Sequence, residues 1–129
     1  SDIKCFVRGS YLVKETGPRY ILHGTRGSFI KYGLDPQEEA LKSGITPGTK
    51  KWGEDNPDLY GILNAESDGG EKREVYPTRP GNYMDYYDNI YEAVRAGSSL
   101  EVKPEEARDV VKIIEAAYTS SSEDRVVSL

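Results

Sequence analysis

The sequence holds very few of the residue types that build disulfides, metal sites and nucleophilic pairs. Among its 129 residues there is one cysteine, Cys5, and one histidine, His23. A lone cysteine cannot form a disulfide within the chain, and a single histidine far from it supplies neither a zinc-ligand set nor a strong Cys-His pair. Cys5 lies in an apolar run, where a small buried side chain is its commonest role. This usage predicts no metal site and a reducing, cytoplasmic location.

Positive charge and long hydrophobic runs are also scarce. Lys and Arg number 17 against 22 Asp and Glu, which gives a formal net charge of −5 at pH 7. Nucleic-acid binding depends on clustered positive charge, and no basic stripe with interleaved aromatic residues is present. No apolar run approaches the roughly 20 residues that a membrane-spanning helix needs. We therefore expect a soluble protein that binds neither nucleic acid nor membrane.

The chain also lacks a nucleotide-binding glycine motif. Its glycines at 24, 27, 44, 48, 69 and 70 do not have the G-x-G-x-x-G spacing, and none of these lies in a strand-turn-helix unit of the dinucleotide-binding type. Residues 44–50 bear a superficial likeness to a phosphate-binding loop, but the spacing and the order of Lys and Thr are wrong. We expect no cofactor to be bound by this chain alone.

The clearest signal that is present is a β-hairpin. Residues 19–23 are a short run of strand-forming types, and the glycines at 24 and 27 tolerate the positive φ of a tight turn. The chain should then return as a second strand over residues 28–32. Because residues 3–13 are also rich in β-branched and aromatic residues, with apolar groups pointing both ways, we expect a preceding strand there and a three-stranded antiparallel meander.

A helix should follow this hairpin directly. Asp35 is placed as its N-cap, Pro36 as its first residue and Glu38 as the partner in a capping box, while Gly44 is a suitable stop. Residues 45–57 show no periodicity, and a loop of this length is usually functional or wraps a neighbour.

Further elements follow from periodicity and from turn residues. We expect strands over 59–65 and 73–77 that form a second hairpin around the turn residues 67–70. A helix over 81–97, a helix from Pro104 and a terminal strand over 125–129 should follow. The helix over 81–97 carries an apolar, tyrosine-rich stripe, for which a place in the core is the commoner role. Together these elements predict an α+β fold of one domain with a sizeable core. Its sheet is mostly antiparallel, with helices packed on one face and the other face available for oligomerisation.

Four segments in one order resemble a known family. The run from Gly24 to Leu41 reads G-T-x-G-S-F-x-K-x-G-x-D-P-Q-E-x-x-L, and it is followed by Pro47 to Gly53, Gly81 to Tyr87 and Ala116 to Ser120. These segments are similar to the C-terminal domain of the Gfo/Idh/MocA oxidoreductases, in the branch that contains scyllo-inositol dehydrogenases. The resemblance covers residues from about Val7 to Leu129.

The resemblance implies a domain that lacks the nucleotide-binding domain and the catalytic residues of the enzyme. Members of the family bind NAD or NADP on an N-terminal Rossmann domain and use a lysine in an E-K-P segment and an Asp-x-x-x-His pair. None of these is visible here, since Glu101-Val102-Lys103-Pro104 has an extra residue and opens a helix. Residues 1–129 are thus expected to be the later part of the C-terminal domain, inactive alone and without catalytic residues. The longer parent would use NAD or NADP on a sugar or cyclitol and form a homo-oligomer through the open sheet face.

Four residues are candidates for the substrate wall: His23, Lys31, Asn82 and Tyr83. His23 is the single histidine of the sequence and lies at a strand end, and the alternative is a satisfied strand histidine. Lys31 could bind a sugar hydroxyl or a cofactor phosphate, and the alternative is an exposed or ion-paired lysine. Asn82 and Tyr83 are at the positive end of a helix dipole.

A rival interpretation is a self-sufficient, non-enzymatic module that binds a small ligand or a protein through the same sheet. An upstream strand, G-x-G-x-x-G and helix in the gene would favour the oxidoreductase, whereas an upstream stop codon would favour the module. A third class, a small hydrolase, lacks a nucleophile-base pair to support it.

Overall fold

Two β-hairpins form a four-stranded antiparallel sheet in the computed structural model, which describes residues 3–10 and 12–129. The strands are β1 (Tyr20–Gly24), β2 (Gly27–Lys31), β3 (Gly61–Ser67) and β4 (Gly70–Tyr76), and they lie side by side in that order. The turn at 25–26 is closed by the pairing of Gly24 with Gly27, and the turn at 68–69 by Ser67 with Gly70. Both predicted hairpins and the α+β class are confirmed. The positive φ expected at Gly24 and Gly27 is wrong, because neither glycine adopts it.

The two faces of the sheet differ in chemistry. Cross-strand partners share a face, so the register places one β-branched residue from each strand in a single row: Ile21, Ile30, Ile62 and Val75. We call this side the isoleucine face. Lys31 lies on the opposite face with Phe29, whose ring meets that of Tyr76 edge-on at 6.3 Å between centroids.

The first helix ends where the sequence predicts but begins one residue later, because Pro36 is its N-cap and Gln37 its first residue. Helix α1 spans Gln37–Lys42, and Gly44 follows it at φ +80°. The Asp35 carboxylate accepts the N–H of Gln37 at 2.9 Å, as an N-terminal cap does. The predicted capping box is wrong, because Glu38 is paired with the ammonium of Lys42 at 3.0 Å. Hydrogen bonds from Lys42 to Glu39 and Glu38 raise the pKa of Lys42 to about 12.

The two later helices are also as predicted. Helix α2 spans Tyr83–Ala96, with Asn82 accepting the N–H of Met84 at 3.2 Å and Gly97 at φ +70° after its end. Helix α3 spans Pro104–Glu123, and the N–H of Lys103 is donated to the Glu106 carboxylate at 2.8 Å. A short 3₁₀ turn over Pro57–Leu59 interrupts the long loop before β3.

Two predicted strands are wrong, and the predicted meander is therefore wrong as well. Residues 3–10 and 12–13 form no strand, and neither do residues 125–129. Instead β2 pairs with β3, so the third strand of the sheet comes from a segment 30 residues further along. Residues of high strand propensity form a strand only where a neighbouring strand supplies backbone hydrogen bonds. Within the described residues no further strand pairs with the outer edges of β1 and β4.

The predicted hydrophobic core is absent from the described part of the chain, which holds no buried hydrophobic side chain. The α2 stripe, expected to be core, is exposed to 63% at Tyr87 and 78% at Val94. Two compact units are formed, Lys14–Asp88 and the described part of Ser1–Val13 with Asn89–Leu129. None of the described helices is long and apolar enough to cross a membrane.

Candidate functional site

A buried ion pair ties the sheet to the loop before β3. The ammonium of Lys31 lies 2.5 Å from the carboxylate of Asp55, and their side chains are only 15% and 3% exposed. Lys31 also donates to the carbonyl oxygens of Leu59 at 2.8 Å and Tyr32 at 3.1 Å, so all three ammonium hydrogens have acceptors. The hydroxyl of Thr78 donates to the same Asp55 oxygen at 2.8 Å. We call Lys31, Asp55 and Thr78 the ion-pair cluster.

Competing effects determine the pKa of Asp55. Burial acts to raise this pKa, because it disfavours the charged carboxylate. Hydrogen bonds from Lys31 and Thr78, the positive charge of Lys31 and the N–H of Asn56 together outweigh burial and hold the pKa below its usual value. Asp55 is therefore ionised at neutral pH and balances the lysine charge.

A second buried group joins the two helix starts within the unit Lys14–Asp88. The side chain of Gln37 is 1% exposed. Its Nε2 donates to both carboxylate oxygens of Asp35 at 3.1 Å, and its Oε1 accepts the backbone N–H of Tyr83 at 2.7 Å. We call Asp35, Gln37 and Tyr83 the amide cluster. It links the first residue of α1 to the first residue of α2.

Two glycines allow the backbone to approach this cluster closely. Gly81 donates its N–H to the carbonyl of Gly53 at 3.2 Å. A Cβ on Gly81 would lie 2.6 Å from the Gln37 Nε2, and a Cβ on Gly53 would collide with the Gly81 carbonyl. Gly53 also has φ +70°, a value that L residues rarely adopt. The contact between Gly53 and Gly81 therefore brings the segments that carry Asp55 and Thr78 beside the amide cluster.

Asn82 and Tyr83 are presented at the start of α2, directly beside the amide cluster. The Asn82 amide donates to Asp85 at 2.5 Å, and Oδ1 of Asn82 caps Met84. The Tyr83 side chain is 40% exposed. Within the described residues its phenol hydroxyl has no hydrogen-bond partner. A phenol that both donates and accepts is suited to a polyhydroxylated ligand.

The structure does not bring all four candidate wall residues together. Lys31 is connected to Asn82 and Tyr83 through residues 53–55 and 78–81. His23 lies on the isoleucine face, opposite to Lys31, where its Nδ1 is 2.9 Å from the Ser28 hydroxyl. These contacts agree with the satisfied-histidine and ion-paired-lysine alternatives. The assignment of the four residues to a substrate wall stays a prediction.

The polar residues that hold the site in place were not predicted from the sequence. Gln37 lies in the run that resembles the family and Asp55 lies outside all four segments, and neither of these two buried polar residues of the described chain was assigned a role. The run Asp35-Pro36-Gln37 predicted a helix start, but not a bridge to a second helix. Gly53 and Gly81 lie within two of the segments that resemble the family. These two glycines were the signal in the sequence that could have indicated a close approach of the backbone.

The arrangement can bind and orient a ligand by hydrogen bonds. Among residues 3–10 and 12–129, no group of three or more His, Cys, Asp and Glu is placed to hold a metal ion. The ammonium of Lys31 and the carboxylate of Asp55 are already paired with each other. The fold and site therefore define a supporting α+β domain in which hydrogen-bonding groups at one helix start face outward.

Comparison with known proteins identifies the class of this domain. The family model described as "Oxidoreductase family, C-terminal alpha/beta domain" matches residues 2–129. The chain belongs to the Gfo/Idh/MocA oxidoreductase family and corresponds to its C-terminal domain. This finding confirms the resemblance derived from the four sequence segments.

Several relatives are similar to this chain over nearly its whole length. It is 42% identical over 127 residues to the scyllo-inositol 2-dehydrogenase (NADP(+)) IolW of Bacillus subtilis, covering 98% of this chain and 36% of the relative. It is 37% identical over 126 residues to the uncharacterized oxidoreductase YhhX of Escherichia coli, covering 97% and 36%. The structure of the oxidoreductase yvaA from Bacillus subtilis superposes with a TM-score of 0.80 at 45% identity, covering 92% of this chain and 34% of that one. The chain thus spans about a third of the length of these relatives.

Proposed function

We propose that this chain is the substrate-side domain of an NAD(P)-dependent dehydrogenase that acts on a hydroxyl group of a sugar or cyclitol. The observation that supports this most strongly is the 42% identity, over nearly the whole chain, to a relative named as an NADP-dependent scyllo-inositol 2-dehydrogenase. The chain has no G-x-G-x-x-G motif. In this proposal the nucleotide is bound by a separate Rossmann domain of the same protein, in the cytoplasm where NAD(P) is supplied.

In this proposal the start of α2 forms part of the substrate wall. The Tyr83 hydroxyl is free of partners among the described residues, and the Asn82 amide retains one N–H beyond its bond to Asp85. Both groups can pair with substrate hydroxyls, and buried Gln37 holds the backbone that carries them. Lys31 contributes indirectly, because its ion pair with Asp55 anchors the loop that packs beside Gly81.

The residues of this chain would bind and orient the substrate. The bound nicotinamide would accept or deliver the hydride, and proton transfer would belong to groups outside this chain. A hydrogen bond that is equally strong in the bound substrate and in the transition state lowers KM and leaves kcat almost unchanged. This is the kinetic signature that the proposed wall residues should show.

The same proposal assigns the isoleucine face to oligomerisation. The edge residues of its row, Ile21 and Val75, are 50% and 59% exposed. Apolar surface of this kind on a sheet is stabilised by burial against another sheet. A second copy presenting the same row would cover it in a symmetric contact.

The test uses the protein expressed from its complete open reading frame, which we call the complete enzyme. Sugars and cyclitols are screened with NAD and with NADP, and KM and kcat are measured for Tyr83→Phe and Asn82→Ala. We expect KM to rise about fivefold to tenfold with kcat within about twofold, as for loss of one neutral hydrogen bond. Tyr91→Phe, two turns further along α2, is the matched control and should behave as wild type. No turnover of any polyol would refute the function; unchanged KM in both variants would refute the wall.

A further inference from the structure

We propose that Gln37 is a positioning residue for the substrate wall, acting through the Tyr83 backbone to orient Asn82 and Tyr83. This inference rests on the proposed function, because it gives the start of α2 a substrate to face. Gln37 itself touches no substrate in this proposal. It lies behind the wall, and its side chain is the one fully buried side chain among the described residues.

The choice of an amide at this buried position is informative. Burying an amide is unfavourable unless its hydrogen bonds are made, so a leucine or methionine would fill the same volume at less cost. Here both ends of the amide are used, Nε2 on Asp35 and Oε1 on the Tyr83 N–H. Gln37 and Tyr83 are 46 residues apart in sequence. The link between Asp35 and the start of α2, which we call the junction, requires a neutral group that donates at one end and accepts at the other.

The position of the α2 start depends on this contact. The first N–H groups of a helix have no intrahelical acceptor, and each needs an external one. Oδ1 of Asn82 accepts the N–H of Met84, and Oε1 of Gln37 accepts the N–H of Tyr83. Gly81 lets the amide come close, since a Cβ there would lie 2.6 Å from Nε2. The direction in which Asn82 and Tyr83 project is therefore set from α1, not by α2 alone.

A carboxyl at position 37 gives a test that depends on pH. In Gln37→Glu, a protonated carboxyl donates to Asp35 and accepts from Tyr83, as the amide does. An ionised carboxyl loses the donor and faces the Asp35 carboxylate, which is the charged group within hydrogen-bond reach of this amide in the described chain. Burial and the neighbouring negative charge both favour the protonated form. Gln37→Glu should therefore keep the junction in acid and lose it in base.

The experiment compares wild type, Gln37→Glu and Gln37→Met in the complete enzyme. We expect Gln37→Glu to match the wild-type KM at about pH 5.5 and to exceed it about tenfold at about pH 8, with kcat within about threefold at both values. Gln37→Met, which has no such proton, should show the raised KM at both pH values. Glu38→Gln, on the exposed neighbouring residue, is the control and should follow wild type.

Hydrogen exchange of the Tyr83 amide supplies a second readout that needs no turnover. It should be faster than wild type in Gln37→Met at every pH, and faster in Gln37→Glu only in base. Unchanged exchange in Gln37→Met would refute the contact. Faster exchange with unchanged KM, or with kcat falling as much as kcat/KM, would refute the positioning role. If wild type turns over no polyol, the proposed function fails and the positioning role fails with it, whatever the exchange data show.

Discussion

Lys31 and Asp55 form the least exposed ion pair in the described part of the chain, with side chains 15% and 3% exposed. Every other ion pair there has both side chains at least 40% exposed, where solvent and salt screen the attraction. The pair joins the end of β2 to the loop before β3, and Thr78 adds the segment after β4. It fixes three segments that are distant in sequence.

Asp55→Asn should strongly destabilise the complete enzyme. It removes the counter-charge of Lys31 and leaves an ammonium in a largely buried site, for which the cost is about 3 kcal/mol in the free energy of unfolding. Urea denaturation measures this difference. The double variant Lys31→Met with Asp55→Leu should lose much less, because it removes both charges. Glu66→Gln, in the exposed pair with Arg26, should have no measurable effect. An equally small effect of Asp55→Asn would show that the pair does not hold the loop.

Acid should remove the contribution of Asp55 to stability. The pKa of its carboxyl is lowered in the folded protein from the ordinary value of 3.8. Its stabilising effect is therefore complete above 3.8 and is lost as the pH falls through the lower, folded value. Denaturation midpoints from about pH 6 to about pH 3 should show wild type and Asp55→Asn converging at the acid end. A constant difference over that range would contradict the assignment.

Gly53→Ala should be far more damaging than Gly44→Ala, although both glycines have positive φ, +70° and +80°. An added Cβ meets nothing within 4 Å at Gly44 but collides with the Gly81 carbonyl at Gly53. We expect a loss of about 1 kcal/mol for Gly44→Ala from backbone strain alone and about 3 kcal/mol or more for Gly53→Ala. Thermal unfolding distinguishes the two. Equal losses would mean that the approach of Gly53 to Gly81 is not required.

Ile21→Glu should dissociate the proposed oligomer. A carboxylate in the row of the isoleucine face cannot be buried against a second copy without a large desolvation cost. Leu22→Glu is the matched control, since Leu22 is the next residue of β1, is 60% exposed and points to the opposite face. Light scattering coupled to size exclusion should show a smaller mass for Ile21→Glu alone. The same mass for both variants would place the interface elsewhere.

Local features of this fold were predictable from short stretches of sequence. The end of α1 at Gly44 and the end of α2 at Gly97 depend on a positive φ that glycine adopts without strain. The hairpin between Gly24 and Gly27 also formed, although neither of these glycines has a positive φ. The strand predicted over residues 3–13 failed for the opposite reason. Its β-branched residues favour extended backbone, but forming a strand requires a partner edge that local sequence does not specify.

The candidate site divides in the same way. Asn82 and Tyr83 were recognisable as a helix start from their own neighbourhood. Gln37 gave no such signal, because its role depends on a contact with a residue 46 positions away. For the ion pair, the sequence indicated one partner and not the other. Lys31 was recognised as a candidate for ion pairing, but Asp55, 24 positions further on, was not.

Short stretches of sequence were enough to predict the helices, the two hairpins and membership of an oxidoreductase family, and to show that no G-x-G-x-x-G motif is present. Each of these depends on residues close together in the chain or on their order along it. Three contacts became visible only in the folded chain. They are the pairing of β3 with β2, the ion pair of Asp55 with Lys31 and the hydrogen bond from the start of α2 to Gln37. These outcomes depend on which distant segments are brought together, because burial and hydrogen-bond satisfaction are properties of contacts in space.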